Sequence, residues 1–149
     1  MKASRLIFTL LFASSVAVVQ LAAQQTKTDQ RPLKEVRAKA EAGDAESQVE
    51  LGRRYDKGEG VAKDPAEAVK WYRKAAEQND AEGQLYLGLS YVKGEGVAED
   101  LVEAYKWLLL AARQGDESAK KIVTNPLESS LRPEQIAEGQ KRAREFKPR

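Results

Sequence analysis

"YDKGEGVAKD", residues 55–64, returns at residues 91–100 as "YVKGEGVAED". Working outward, Asp44 to Asn79 lies over Asp80 to Gly115 with a period of about 36 residues and about 21 identical positions, and the identities fall where a helical hairpin needs them. Gly58 and Gly94 are suited to the left-handed conformation that ends a helix. Gly60 and Gly96 let the chain reverse, and Val61 and Val97 fold back as an apolar plug.

Upstream of each turn, Asp44 and Asp80 stand where a helix N-cap is wanted. Ala45, Gln48, Leu51, Gly52 and Tyr55 recur at spacings of three and four, and Ala81, Gln84, Leu85, Gly88 and Tyr91 follow with one neighbouring shift. This predicts a first helix with one buried stripe. Gly52 and Gly88 fall inside that helix, where glycine costs about 1 kcal/mol relative to alanine, so close approach of a neighbouring helix is the expected compensation. Downstream, Asp64 with Glu67 and Asp100 with Glu103 have capping-box spacing, and Pro65 occupies a first helical position. The second helices carry Ala68, Trp71, Ala75 and Ala76, repeated as Ala104, Trp107, Ala111 and Ala112, a large aromatic wedged among small residues. Asn79 and Gly115, both tolerant of positive φ, end them.

The order "LG..Y..GEGVA.D..EA.KW...AA" resembles the Sel-one-like repeat (SLR), a relative of the tetratricopeptide repeat. The resemblance implies an all-α fold, an α/α solenoid of antiparallel helix pairs, with Gly52, Tyr55, Gly58, Gly60, Asp64 and Trp71 as the signature of the first unit and Gly88, Tyr91, Gly94, Gly96, Asp100 and Trp107 as that of the second. Residues 44–79 and 80–115 are the two full units. Residues 33–43 resemble the end of a preceding second helix, with Glu35 in the tryptophan register, and are expected to cap the stack. Asp116 to Thr124 restarts a first helix, the register is expected to fail at "NPLESS", and a final helix from about Pro133 to Phe146, with Ile136, Ala137, Ala143 and Phe146 on one face, closes the stack within 116–149.

The N-terminal segment reads differently. Lys2 and Arg5 precede an apolar run from Leu6 to Val19, and "QLAAQQ" supplies small residues, so residues 1–23 are expected to be a secretory signal cut after Ala23. The run is shorter than the ~20 residues a membrane span needs, which disfavours a retained anchor. Residues 24–32 read as a polar, disordered leader. The expected location is the periplasm or the outside of the cell. Losing Lys2 and Arg5 from 25 cations against 23 acids leaves the mature chain balanced, so net charge gives a nucleic-acid role no support.

The chain contains no cysteine and no histidine, which removes thiol and imidazole nucleophiles and His/Cys metal or haem sites, and leaves packing to hold the fold. Asp56, Glu59, Asp64, Glu95, Glu99 and Asp100 cluster near the turns but lack the spacing of a calcium loop, and "GEG" joins two helices rather than following a strand. No metal, cofactor or enzymatic role is expected. A small carboxylate-dependent hydrolase is the alternative from that class. The basic stretch Lys141 to Arg149 suits a helix C-terminus.

The resemblance implies a concave face, lined mainly by first helices, that holds a protein or peptide partner. The positions on that face where the two units differ are Val49, Arg53 and Asp56 in the first and Leu85, Leu89 and Val92 in the second, with Glu50 and Tyr86 at the edge. A polar half beside an apolar half suits an amphipathic peptide. Leu85, Leu89 and Val92 are equally consistent with core beneath the final helix. The expected function is that of an exported adaptor, with an envelope regulator acting on a membrane sensor or secretion component as the alternative.

Overall fold

The computed structural model describes residues 31–149, so the signal and leader readings for 1–23 and 24–32 lie outside the described residues, save Arg31 and Pro32. From Leu33 onward the chain is one unit. Its helices are α1 (Leu33–Glu41), α2 (Ala45–Lys57), α3 (Pro65–Glu77), α4 (Ala81–Lys93), α5 (Leu101–Arg113) and α6 (Glu117–Ile122), then a π-helical turn (Val123–Leu127), α7 (Glu128–Ser130) and α8 (Pro133–Glu145). There is no strand among the described residues. The expected α/α solenoid is what forms: α2 pairs with α3, α4 with α5, and each second helix packs on the next first helix.

Five aspartates start the helices. Asp44, Asp64, Asp80, Asp100 and Asp116 all have extended backbone, and each accepts a hydrogen bond from an otherwise unpaired N–H in the first turn, those of Ser47, Glu67, Gly83, Glu103 and Ala119. Each cap is worth about 1 kcal/mol. The capping boxes form only by half. The side chains of Glu67 and Glu103 bind Lys70 at 2.7 Å and Lys106 at 3.3 Å instead of reaching back to the cap.

The quoted stretches are the turns. Gly58 and Gly94 end α2 and α4 with φ of 73° and 66°, and Gly60 and Gly96 follow at 74° and 72°. The Asp64 and Asp100 amides then donate to the Tyr55 and Tyr91 carbonyls, closing each loop. Gly96 is required twice over, since a Cβ there would lie 2.1 Å from the Pro65 carbonyl oxygen. The second turn therefore sits directly on the start of α3.

Packing explains the glycines inside the helices. A Cβ on Gly52 would lie 2.5 Å from the Tyr72 ring, and one on Gly88 would lie 2.6 Å from Leu108 Cγ. The close neighbour is thus the large side chain following each tryptophan. Tyr72 is fully buried, and its hydroxyl donates to Asp56 at 2.7 Å. Burial, and then the hydrogen bond to Asp56, hold the Tyr72 phenol far above its ordinary pKa. Leu51 and Leu87 are 0% exposed, so the buried stripe of the second unit runs through Leu87, not Leu85 as the shifted register suggested. The period of 36 holds without a shift because both units have the same length.

Trp71 and Trp107 are 8% and 3% exposed. Trp71 packs with Val36, Ala40 and Leu51, while Trp107 belongs to the main core and takes Phe146 edge-on at 5.3 Å. Lys74 and Lys106 lie over the two indole faces at 3.9 and 4.2 Å. Neither buried indole N–H has an acceptor among the described residues.

The C-terminal part departs from expectation in two places. "NPLESS" does not break the helix. α6 passes into the π turn containing Pro126, because proline lacks an N–H and its ring collides with the carbonyl four residues back, a conflict that a wider turn relieves. Val123 and Leu127 stay buried, in register with Leu51 and Tyr55. In α8 the face against α5 runs through Ile136, Gly139, Ala143 and Phe146, so Ala137 points outward and is exposed. Gly139 lets α8 approach Tyr105, Arg142 binds Glu103 at 2.7 Å and Glu138 at 2.8 Å, and the Arg149 amide donates to the Glu77 carbonyl at 2.8 Å.

Replacing Gly52 by leucine should destabilise the protein by about 3 kcal/mol, because Tyr72 must leave its seat; a lower urea midpoint with an unchanged slope would register it. Trp71→Ala should cost about 3–5 kcal/mol. Trp71→Phe should cost only about 1 kcal/mol, since losing an unpaired buried N–H offsets part of the lost apolar contact. Equal losses for the alanine and phenylalanine variants would contradict this account.

Candidate functional site

The residues expected on the partner-binding face come from α2 and α4, and they do not share one fate. Val49 is 2% exposed and sits in the core with Ala68, Tyr72 and Leu87, so it is not a surface residue. Its small apolar side chain is covered where α4 packs beside α2. Glu50 is also buried rather than at an edge. It accepts from Arg54 Nε at 2.8 Å and lies 4.0 Å from Arg53, a pairing that makes burial of the carboxylate tolerable.

Arg53, Asp56, Leu85, Tyr86, Leu89 and Val92 are all half-buried. Asp56 takes the Tyr72 hydroxyl, and the Tyr86 ring stacks on Tyr72 at 5.0 Å with 17° between planes. These two are therefore anchored by the same buried phenol. Leu85 and Val92 pack against the cluster of Tyr105, Leu108, Val123 and Leu127, beside α6 and the π turn rather than beneath α8. Leu89 packs against none of the three core clusters among the described residues.

At the N-terminal end of α4 the charge is negative. Glu82 is pushed up from the ordinary carboxylate range, first by desolvation and then by Asp80, Asp116 and Glu46, with Arg53 acting in the other direction. Among the described residues no three carboxylates gather as a metal-ion site.

A pair of glutamine contacts escaped the sequence reading. Gln78 Nε2 donates to Gln48 Oε1 at 2.8 Å, and one repeat later Gln114 Nε2 donates to Gln84 Oε1 at 2.8 Å. Gln48 and Gln84 also donate to the carbonyls of Ala40 and Ala76 in the preceding second helix. All four glutamines recur at the repeat period, and that recurrence was the available signal.

Comparison with known proteins gives a consistent result. The Sel1 repeat family model matches residues 45–80 and 81–116. None of the curated proteins compared with the chain matches it. Among solved structures, a protective antigen (c5321) of uropathogenic Escherichia coli strains, displaying an SLR fold, is 31% identical with a TM-score of 0.72 over 76% of this chain and 24% of the antigen. A Sel1 repeat protein from Oxalobacter formigenes is 35% identical with a TM-score of 0.58 over 71% of this chain and 45% of that one. The chain thus spans less than half of either protein's length. Cysteine-rich protein B of Helicobacter pylori is 32% identical with a TM-score of 0.58, over 60% of this chain and 68% of its own. With two matched repeats, an all-helical stack and these relatives, the chain belongs to the Sel1 repeat family.

Proposed function

We propose that this chain is an exported, non-catalytic adaptor that holds a protein or peptide partner on the face formed by α2 and α4. Sel1 repeat proteins typically serve as protein–protein interaction adaptors. The observation that carries the reading here is Leu89, a half-buried leucine that serves no core cluster, on the same helix as the half-buried Leu85, Tyr86 and Val92, with the half-buried Arg53 and Asp56 on α2. An apolar strip beside polar groups already held in place favours an amphipathic segment, because little side-chain freedom remains to be lost on binding.

Export rests on the N-terminal sequence, Lys2 and Arg5 before the Leu6 to Val19 run and the small residues up to Ala23. No helix among the described residues is long and apolar enough to cross a membrane. In this reading the working protein begins at Gln24 and acts in the periplasm or outside the cell.

Crosslinking and affinity purification from the native envelope extract should yield one dominant partner. Leu89→Glu should leave the helical circular dichroism unchanged and lower capture by about tenfold or more; undiminished capture by a folded Leu89→Glu variant would remove the α4 face from the reading. Intact mass of the exported protein should correspond to a chain starting at Gln24, and a mass that includes the first 23 residues would refute cleavage.

A further inference from the structure

Helix α8 ends at Glu145, yet the chain stays on the body of the protein. Phe146 is extended, with φ of −62° and ψ of 130°, and its ring meets Trp107 of α5 edge-on at 5.3 Å. Three residues later the Arg149 amide donates to the Glu77 carbonyl of α3 at 2.8 Å. Three extended residues span about 10 Å, the usual separation of neighbouring helix axes. Residues 146–149 therefore cross from one second helix to the other.

Both contacts fill places that the repeat leaves incomplete. Glu77 closes α3, and the last four carbonyls of a helix have no amide of their own helix to accept from. Arg149 also brings a cation to the C-terminal end of that helix, where the helix dipole favours one. On α5 the surface beside the tryptophan is apolar where the first unit is basic. Arg73 and Lys74 stand at the positions that Leu109 and Leu110 hold one period later. Lys106 lies over the face of the Trp107 ring at 4.2 Å, which leaves the ring edge to Phe146.

The tail is lightly held for a segment in such a place. Phe146 is half-buried, Lys147, Pro148 and Arg149 are exposed, and Pro148 has no N–H to donate. Helix α8 has contacts of its own, Gly139 at Tyr105 and Arg142 at Glu103, so release of the tail leaves it anchored. What the tail contributes is one aromatic edge and one backbone N–H beside a positive charge. Any extended segment with an aromatic residue three positions before a basic one offers the same set.

We infer that the cleft between α3 and α5 is a second peptide-binding site, for a partner segment of that chemistry, and that residues 146–149 occupy it in cis as a displaceable strap. The site is built on second helices and is separate from the face formed by α2 and α4. A tethered strap competes at an effective concentration in the millimolar range, so a partner segment must bind more strongly than the tail or meet the chain with the strap released.

An N-terminally labelled heptapeptide of residues 143–149, AREFKPR, is the probe. Its receptors are the full chain and the full-length Phe146→Ala variant, with helical circular dichroism as the check on folding. The variant should bind the peptide about tenfold more tightly than the unaltered chain, and the Trp107 indole N–H resonance should shift more than that of Trp71. A peptide with alanine for phenylalanine should bind about tenfold more weakly, and one with N-methylarginine at its last position about fivefold more weakly. Should Phe146→Ala unfold, Arg149→Pro removes the strap's N–H donor while keeping Phe146, and that variant should bind the peptide about fivefold more tightly than the unaltered chain. Peptide affinity that is the same for the unaltered and strap-weakened chains, or the same for the phenylalanine and alanine peptides, would overturn the assignment. A dimer of the unaltered chain that Phe146→Ala abolishes would overturn it in favour of the tail of a second copy.

Discussion

A glycine of one helix receiving a large side chain of its partner is the contact on which the stack depends. Gly52 gives its missing Cβ to Tyr72, and Gly88 gives its own to Leu108. Helix propensity argues against glycine at both positions by about 1 kcal/mol. Close packing outweighs that cost, because a filled interior has no room for a further methyl group without displacing a ring. The interlock also sets the spacing between α2 and α3, and so brings Tyr72 within reach of Asp56 and Tyr86. The face on which a partner would lie is thereby tied to a buried phenol one layer below.

Without disulfides, polar contacts supply much of the definition between units. Aspartate caps satisfy helix starts, the glutamine pairs connect each first helix to two second helices, and the Glu50–Arg54 pair is buried inside α2. Such groups add modest net stability, but they disfavour any register in which they lose their partners. A stack of near-identical units needs that discrimination, since apolar stripes alone would tolerate slippage.

Closure at the C-terminus is achieved with different parts. α6 and the π turn keep the buried register of a first helix, with Ala119, Val123 and Leu127 in place, but an exposed Thr124 stands where the buried Gly52 and Gly88 stand. α8 instead crosses α5, held by Gly139 against Tyr105, Arg142 on Glu103 and Phe146 on Trp107. The third unit is thus a cap assembled from repeat and non-repeat elements.

The sequence alone determined the hairpins, their caps and their turns, because these are local: an aspartate cap, a glycine at positive φ and a period of three to four each act within a few residues. Repetition made the reading firmer, since the aspartate caps, the turn glycines and the tryptophans each occur twice at one offset. Tertiary structure decided what each helix face meets. Val49 is core because residues of α3 and α4, Tyr72 and Leu87 among them, share its cluster, and Ala137 is exposed because α8 turns a different face to α5. The π turn was hidden for the same reason. The sequence points to a lost register at "NPLESS", and only the burial of Val123 and Leu127 on either side makes it favourable for the helix to widen around Pro126 and keep it. Local chemistry writes elements into the chain, whereas exposure is a property of neighbours that are distant in sequence.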